Sequence, residues 1–233
     1  MTRQRFWVII PAAGAGARFG ATAPKQYLPL AGATVIEHTI NCFTSHPVVA
    51  GIVVVLAPDD SHWSALGLRG ENNIETVSGG EERCHSVANG LRHLSAFASA
   101  EDWVLVHDAA RPNLPRADLD RLIDTLVDDP VGGILATPVR DTMKRSDNDA
   151  RIRETVDRTA LWHALTPQMF RLRALSDALQ RASSDGYAVT DEASAMEYAG
   201  LQPQIVEGSA ENIKITRPED LALAAFYLGN RES

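Results

Sequence analysis

The sequence has little cysteine, no long apolar run and no excess of positive charge, and each shortage removes a class of function. Its two cysteines, Cys42 and Cys84, have neither CxxC spacing nor partners at zinc-ligand spacing. That excludes a disulfide framework and a zinc module, and a reducing cytoplasm is the expected location. Arg3 and Arg5 precede only the short apolar run "FWVII", and no stretch approaches a membrane span. Neither a signal peptide nor a membrane partner is therefore expected. A formal net charge of −8 and a pI near 5.3 exclude a broad nucleic-acid-binding surface. An anionic ligand must then be met by local arginine and lysine, which makes the placement of each one informative.

What remains is enough for one sizeable domain with its own core: 233 residues, 45% of them hydrophobic. The runs Phe6–Ile10, Ile52–Leu56, Trp103–Val106 and Ile134–Ala136 are continuously apolar rather than alternating, as strands covered on both faces of a parallel sheet are. Helical spacing lies between them. Val35, Ile36, Thr39, Ile40 and Phe43 share one face, as do Val87, Leu91 and Leu94, and so do Leu119, Leu122, Ile123, Leu126 and Val127. This alternation predicts an α/β fold, Rossmann-like and doubly wound, with a mostly parallel sheet and ligands at the carboxyl ends of its strands. Residues 140–158 depart from the rhythm, being dense in charge and poor in core residues. They read either as a surface loop or as a protruding β-arm at about 139–159 with "SDND" as its turn. A last helix from about Pro218 to Leu228 opens with Thr216 and Glu219 at capping-box spacing.

The stretch "PAAGAGARFG", residues 11–20, follows the first strand as a phosphate-binding turn does. It is not a dinucleotide fingerprint. Gly14, Gly16 and Gly20 give GxGxxxG, Pro24, Pro29 and Gly32 keep the following chain out of a helix, and Asp59 and Asp60 come about twice as late as the ribose acid should. No Gly-Lys-Ser/Thr makes it a P-loop. The loop instead carries Arg18 and Lys25, which suit a triphosphate whose charge grows during reaction; otherwise they are two solvated cations.

Three further stretches carry candidate chemistry. In "SGGEERCHSV", Gly79 and Gly80 allow close backbone approach to a base or sugar and Ser86 offers one hydrogen bond, although Ser78 and Glu81 also have capping-box spacing. In "WVLVHDAARP", Asp108 falls just past a buried strand, where a carboxylate needs a cation: a magnesium ion, or Arg111. His107 is expected to pack or hydrogen-bond locally. In "ENIKIT", strand alternation turns Lys214 away from Ile213 and Ile215, toward solvent or toward the site.

The motifs "PAAGAGARF", "PKQY", "GGEERCHSV", "VHDAARP", "VRDTMKR", "TVDR", "LTPQ", "TDEAS" and "NIKITRPEDL" occur in that order from about Phe6 to Leu228. With them the chain resembles the 2-C-methyl-D-erythritol 4-phosphate cytidylyltransferases of the non-mevalonate isoprenoid pathway. The resemblance implies a single nucleotidyltransferase domain over 1–233, without the cyclase domain of bifunctional relatives. It implies CTP held by Pro11, Ala12, Ala13, Gly14, Ala15 and Gly16, with Gly80, Glu81, Ser86, Asp108 and Ala109 completing the nucleotide site. Asp108 would bind Mg2+, and Arg18 and Lys25 would stabilise the transition state. Arg158 and Lys214 would position the acceptor, a sugar-alcohol phosphate, beside Asp108, Arg111, Arg140, Thr142, Thr166 and Thr190. A homodimer with exchanged arms is implied too, so that Arg158 acts in trans. The rivals are a cytidylyltransferase for another pentitol phosphate such as ribitol 5-phosphate, an NAD-dependent oxidoreductase and a non-catalytic nucleotide-binding regulator.

Overall fold

The computed structural model describes residues 4–14, 23–68 and 73–230. In chain order the strands are β1 (Phe6–Pro11), the short β2 (Pro29–Leu30) and β3 (Ala33–Thr34), β4 (Val49–Leu56), β5 (Ile74–Ser78) and β6 (Trp103–Val106). They continue as β7 (Gly132–Pro138), β8 (Met143–Ser146), β9 (Ile152–Val156), β10 (Trp162–Arg171) and β11 (Gln204–Glu207). The α-helices are α1 (Val35–Thr44), α2 (Arg83–Leu94), α3 (Arg116–Leu126), α4 (Leu172–Ser184), α5 (Glu192–Tyr198) and α6 (Glu219–Gly229). Among the described residues no helix is long and apolar enough to cross a membrane.

One sheet of seven strands runs β11-β7-β10-β6-β1-β4-β5. All four expected apolar runs belong to it. Pairing is parallel except where β10 lies antiparallel between β6 and β7. Burial on both faces explains the unbroken apolar runs. Val8 and Ile10 pack with Ile36, Ile40 and Phe43 of α1 and with Leu119 and Leu122 of α3. Ile9, Val53, Val55 and Val104 pack the other way, against Val87, Leu91 and Leu94 of α2 and Leu172 and Leu175 of α4. All five residues of the expected α1 face are buried, and Thr34 with Glu37 forms a reciprocal capping box at its start. The chain reaches that cap through the β2–β3 turn, where Ala31 and Gly32 both take positive φ, 44° and 86°.

Three local expectations are corrected. "ENIKIT" forms no strand, because its backbone groups are taken elsewhere: the Asn212 carbonyl accepts from Arg111, Ile215 N–H donates to the Ala110 carbonyl, and the Ile215 carbonyl accepts from Lys25. Ser78 and Glu81 do not cap a helix. Ser78 ends β5, its carbonyl accepting from the Asn89 side chain, and α2 begins only at Arg83. At α6 the carboxylate that receives the Thr216 amide and hydroxyl is Asp220, at 2.8 and 3.0 Å, one residue later than the spacing implied. Strands β8 and β9 pair antiparallel, joined by a turn in which the Asp147 carboxylate accepts from the amides of Asp149 and Arg151.

Candidate active site

The sheet reverses its winding beside β1: the chain moves from β1 to β4 and β5 on one side, then returns to place β6 on the other. Loops leaving the carboxyl ends of β1 and β6 therefore diverge and leave a cavity between them, the usual ligand position of such sheets. Pro11, Ala12, Ala13 and Gly14 line one wall, Gly80, Glu81 and Ser86 a second, and Asp108, Ala109 and Lys214 a third, with Lys25 at the rim. Ala15, Gly16 and Arg18 lie outside the described residues.

Two loops meet tightly here. Ala12 N–H still bonds the Val55 carbonyl at 2.8 Å, extending the sheet past β1. The buried Gln26 amide donates to the carbonyls of Ala12 (2.7 Å) and Gly14 (3.4 Å), fastening the start of the glycine-rich loop to the turn that carries Lys25. A Cβ at Gly79 would stand 2.5 Å from the Ala13 Cβ and 2.8 Å from the Ser86 hydroxyl, so only glycine permits this approach. The Ser86 hydroxyl accepts the Gly80 amide at 3.2 Å and holds the second loop in place.

Asp108 is the electrostatic centre. Arg83 Nε lies 3.0 Å from its Oδ1, while Lys214 Nζ and Arg111 Nε lie 2.9 and 3.4 Å from its Oδ2. Burial alone would raise its pKa, but Arg83, Lys214 and Arg111 outweigh burial and hold it well below the usual carboxylate range. The expected Arg111 pair is thus present as one of three. Arg83 in turn places Nη1 and Nη2 on the two oxygens of Glu192, at 2.6 and 3.0 Å. Burial works against the Arg83 charge, and the two carboxylates more than restore it, keeping its pKa above the ordinary value.

Behind Asp108 stands a neutral hydrogen-bond relay. His107 Nε2 faces the Arg111 carbonyl at 3.0 Å, so that nitrogen carries the proton, and Nδ1 accepts from the Thr166 hydroxyl at 3.0 Å. Thr166 Oγ1 receives the Asp108 amide at 3.1 Å. Burial drives the His107 pKa down to about 4. The imidazole is a strut that fixes the strand end. Asn212 reinforces it, its side-chain amide donating to the Thr166 carbonyl at 2.7 Å.

Arg140, Thr142, Arg158 and Thr190 are exposed and do not line this cavity. Arg158 instead donates to the Arg140 carbonyl, and Thr190 N–H to Ser194 Oγ at the start of α5. Conversely, Gln26, Arg83, Glu192 and Asn212 are site components that sequence reasoning missed. Arg83 and Asp108 sit inside recognisable motifs, but nothing in local spacing joins Arg83 to a glutamate 109 positions away. Among the described lining residues there is no histidine or cysteine, hence no Ser–His or Cys–His pair. The cavity gathers Lys25, Arg83 and Lys214 around the ionised Asp108, with Glu81 and Glu82 also in its lining, an arrangement able to neutralise and align phosphate groups.

Comparison with known proteins agrees with this chemistry. The family model described as "IspD: 2-C-methyl-D-erythritol 4-phosphate cytidylyltransferase" matches residues 6–230. A 2-C-methyl-D-erythritol 4-phosphate cytidylyltransferase of Pseudomonas aeruginosa is 59% identical over 217 residues, 93% of each chain. Among solved structures, a 4-diphosphocytidyl-2C-methyl-D-erythritol synthase aligns at a TM-score of 0.85 and 37% identity, covering 97% of this chain and 100% of that one. The Francisella tularensis 2-C-methyl-D-erythritol 4-phosphate cytidylyltransferase aligns at 0.84 and 35%, covering 96% and 100%.

Proposed function

The chain belongs to the 2-C-methyl-D-erythritol 4-phosphate cytidylyltransferase family, and on that premise we propose how its own residues carry the reaction. It is a nucleotidyltransferase that moves CMP from CTP to 2-C-methyl-D-erythritol 4-phosphate, releasing pyrophosphate and forming 4-diphosphocytidyl-2-C-methyl-D-erythritol. The attacking atom is an oxygen of the acceptor phosphate, and the bond broken joins the α-phosphorus of CTP to its β-phosphate oxygen. A phosphate monoester has a second pKa of about 6, so the nucleophile is already ionised near neutrality and needs no general base. The observation that carries this reading is the cavity itself: two closely packed glycine loops and an ionised Asp108 paired with Lys214, with Lys25 also in the lining.

Two polyanions must be brought in line while charge builds on the leaving group. The backbone of the first loop and of Gly80 closes around the nucleotide, with Glu81 and Ser86 toward the cytosine. Lys25, anchored on the Ile215 carbonyl at 2.9 Å, and Arg18 meet the α-phosphate and the departing pyrophosphate. Lys214 and Arg111 already converge on Asp108, so an acceptor phosphate entering beside them finds two cations in place. Thr166 fixes the Asp108 backbone, and Thr190 stands at the start of α5 as a further acceptor-side group.

The donor set fits a magnesium ion: one carboxylate, kept ionised and facing the cavity, is what Mg2+ takes when substrate phosphates supply its other ligands. When bound, the ion would neutralise triphosphate charge. The exposed Arg140, Thr142 and Arg158 are assigned to an acceptor site of a second copy, reached by the hairpin of β8 and β9 in a homodimer. The exposure of the apolar Met143, Ile152 and Trp162 around that hairpin supports this assignment. A cytoplasmic location completes the reading.

Pyrophosphate release from CTP in the presence of Mg2+, with methylerythritol 4-phosphate and ribitol 5-phosphate run in parallel, tests it. Release with the first acceptor alone is expected. Release with ribitol 5-phosphate alone would keep the mechanism and overturn the acceptor, and silence with both would overturn the site.

A further inference from the structure

We propose that Glu192, which no step of the reaction touches, is a positioning residue that sets how much of the Arg83 charge falls on Asp108. The inference rests on the reading of Asp108 as the metal-binding carboxylate. Its basis is the use of one guanidinium by two acids: Nη1 and Nη2 are committed to Glu192 at 2.6 and 3.0 Å, leaving Nε for Asp108 at 3.0 Å.

Glu192 has no solvent contact, which is an expensive place for a carboxylate if packing were its only task. Packing does not require it. Gln168 already holds α5 from β10, accepting the Ala193 amide at 2.8 Å and donating to the Asp191 carboxylate at 2.9 Å. Asp191 and Ser194 cap the helix reciprocally, and Ala193, Ala195 and Met196 bury its apolar face. Glu192 thus sits between two residues held by Gln168, so its backbone is fixed beside Arg83 and its buried carboxylate is the partner of the Arg83 fork. The fork of Arg83 is held by the helix, and Asp108 receives one nitrogen of it.

The electrostatic consequence follows from counting. Arg83, Arg111 and Lys214 surround Asp108, and with Glu192 ionised the group carries one net positive charge. With Glu192 neutral the same group carries two. A divalent cation approaching Asp108 would then meet a more positive site and an Arg83 free to take both carboxylate oxygens. Partners of metal-binding side chains typically affect metal affinity by about 10- to 100-fold.

The test measures CTP binding by calorimetry, once with EDTA and once with saturating Mn2+, so that turnover plays no part. In wild type, Mn2+ should tighten CTP binding, and Asp108→Asn should remove that gain. Glu192→Gln keeps the shape and one acceptor but not the charge. It should cut the Mn2+-dependent gain by about tenfold while leaving the metal-free affinity within about threefold, and Glu192→Asp should recover part of the gain. Arg83→Lys, which keeps a charge but cannot bridge two acids, should lower the same gain and serves if the Glu192 variants do not fold. A gain unchanged in both Glu192→Gln and Arg83→Lys, or an equal loss with and without metal, would overturn the proposal and leave Asp108 its role. A wild type whose CTP binding ignores Mn2+, or an Asp108→Asn that keeps the gain, would overturn the reading of Asp108 and the proposal together.

Discussion

Arg83 and Arg145 each place a guanidinium nitrogen 2.6 Å from a glutamate oxygen, Glu192 for the first and Glu154 for the second. The distances are equal and the consequences are not. The Arg83 and Glu192 side chains are 30% and 1% exposed, those of Arg145 and Glu154 67% and 57%. In the hairpin, water screens the pair and side-chain entropy opposes it. Beside α5 little water intervenes, so the attraction is stronger, and so is the cost of leaving either partner unmatched. A charge pair therefore says little by its length. Burial decides whether it fixes a geometry or merely decorates a surface, and by that measure the Asp108 network is a fixed geometry while the hairpin charges are a solvated surface.

The largest effects should come from the two cations proposed to meet the phosphates. Lys25→Ala and Arg18→Ala are expected to lower kcat by about 10²–10³, as loss of one preorganised charge-stabilising donor does, with the KM for CTP much less affected. Steady-state kinetics with both substrates checks this. A variant that kept wild-type kcat would remove its residue from transition-state stabilisation and weaken the contrast between the glycine-rich site and the hairpin.

The second effect is on stability and belongs to the strut behind Asp108. Burial lowers the His107 pKa from 6.5 to about 4, so the unfolded chain takes up a proton at a higher pH than the native form does. This contribution is intact above about pH 6.5 and is lost as pH falls, at about 1.4 kcal/mol per unit until about pH 4. Between pH 7 and pH 5, urea denaturation should show wild type losing about 2 kcal/mol more than His107→Gln. Equal losses in the two proteins would mean that the imidazole is not held neutral.

How much of this could be read from residues alone follows the same division. Strands β1, β4, β6 and β7 were legible because both their faces are covered, which forces unbroken apolar runs. The edge strands β5 and β11 were not: each is covered from one side only, and their residues alternate too weakly to stand out. Strand β10 hid for another reason. Its first three residues are exposed and the next six buried, and the pairing shifts between Ala164 and Gln168. In the site, Asp108 was visible because a carboxylate directly after a buried strand demands a cation, and Lys25 because it follows a glycine-rich turn. Arg83 and Glu192 were invisible as partners, since the fold alone brings α5 to the guanidinium that α2 directs at Asp108. The expected strand at "ENIKIT" failed because side chains from distant loops took its backbone bonds, which no periodicity records.

A smaller effect tests whether the hairpin serves the site of a second copy. Arg158→Ala should raise the acceptor KM by about tenfold or more, the loss of one hydrogen bond to a charged group, while the KM for CTP stays near wild type. If arms are exchanged, mixing Arg158→Ala with Lys25→Ala should restore activity in mixed dimers, because one of their two sites then holds both residues. No recovery, in protein shown to exchange subunits, would place Arg158 at the site of its own chain.

The smallest effect is the most direct probe of the opening contrast. A double-mutant cycle of Arg145→Ala and Glu154→Ala should give a coupling of about 0.2–1 kcal/mol at low salt, the range of exposed pairs, and less as ionic strength rises. The corresponding cycle on Arg83 and Glu192 should give a larger coupling that salt barely touches, because ions screen exposed charges far better than buried ones. The informative case is a hairpin coupling that is large and insensitive to salt in concentrated protein but small after dilution. Only burial turns one behaviour into the other, and within the hairpin Arg145 and Glu154 are open to water. Concentration dependence of that kind would mean that a second copy supplies the burial. Its absence would leave these charges on the surface, where their length of 2.6 Å counts for little.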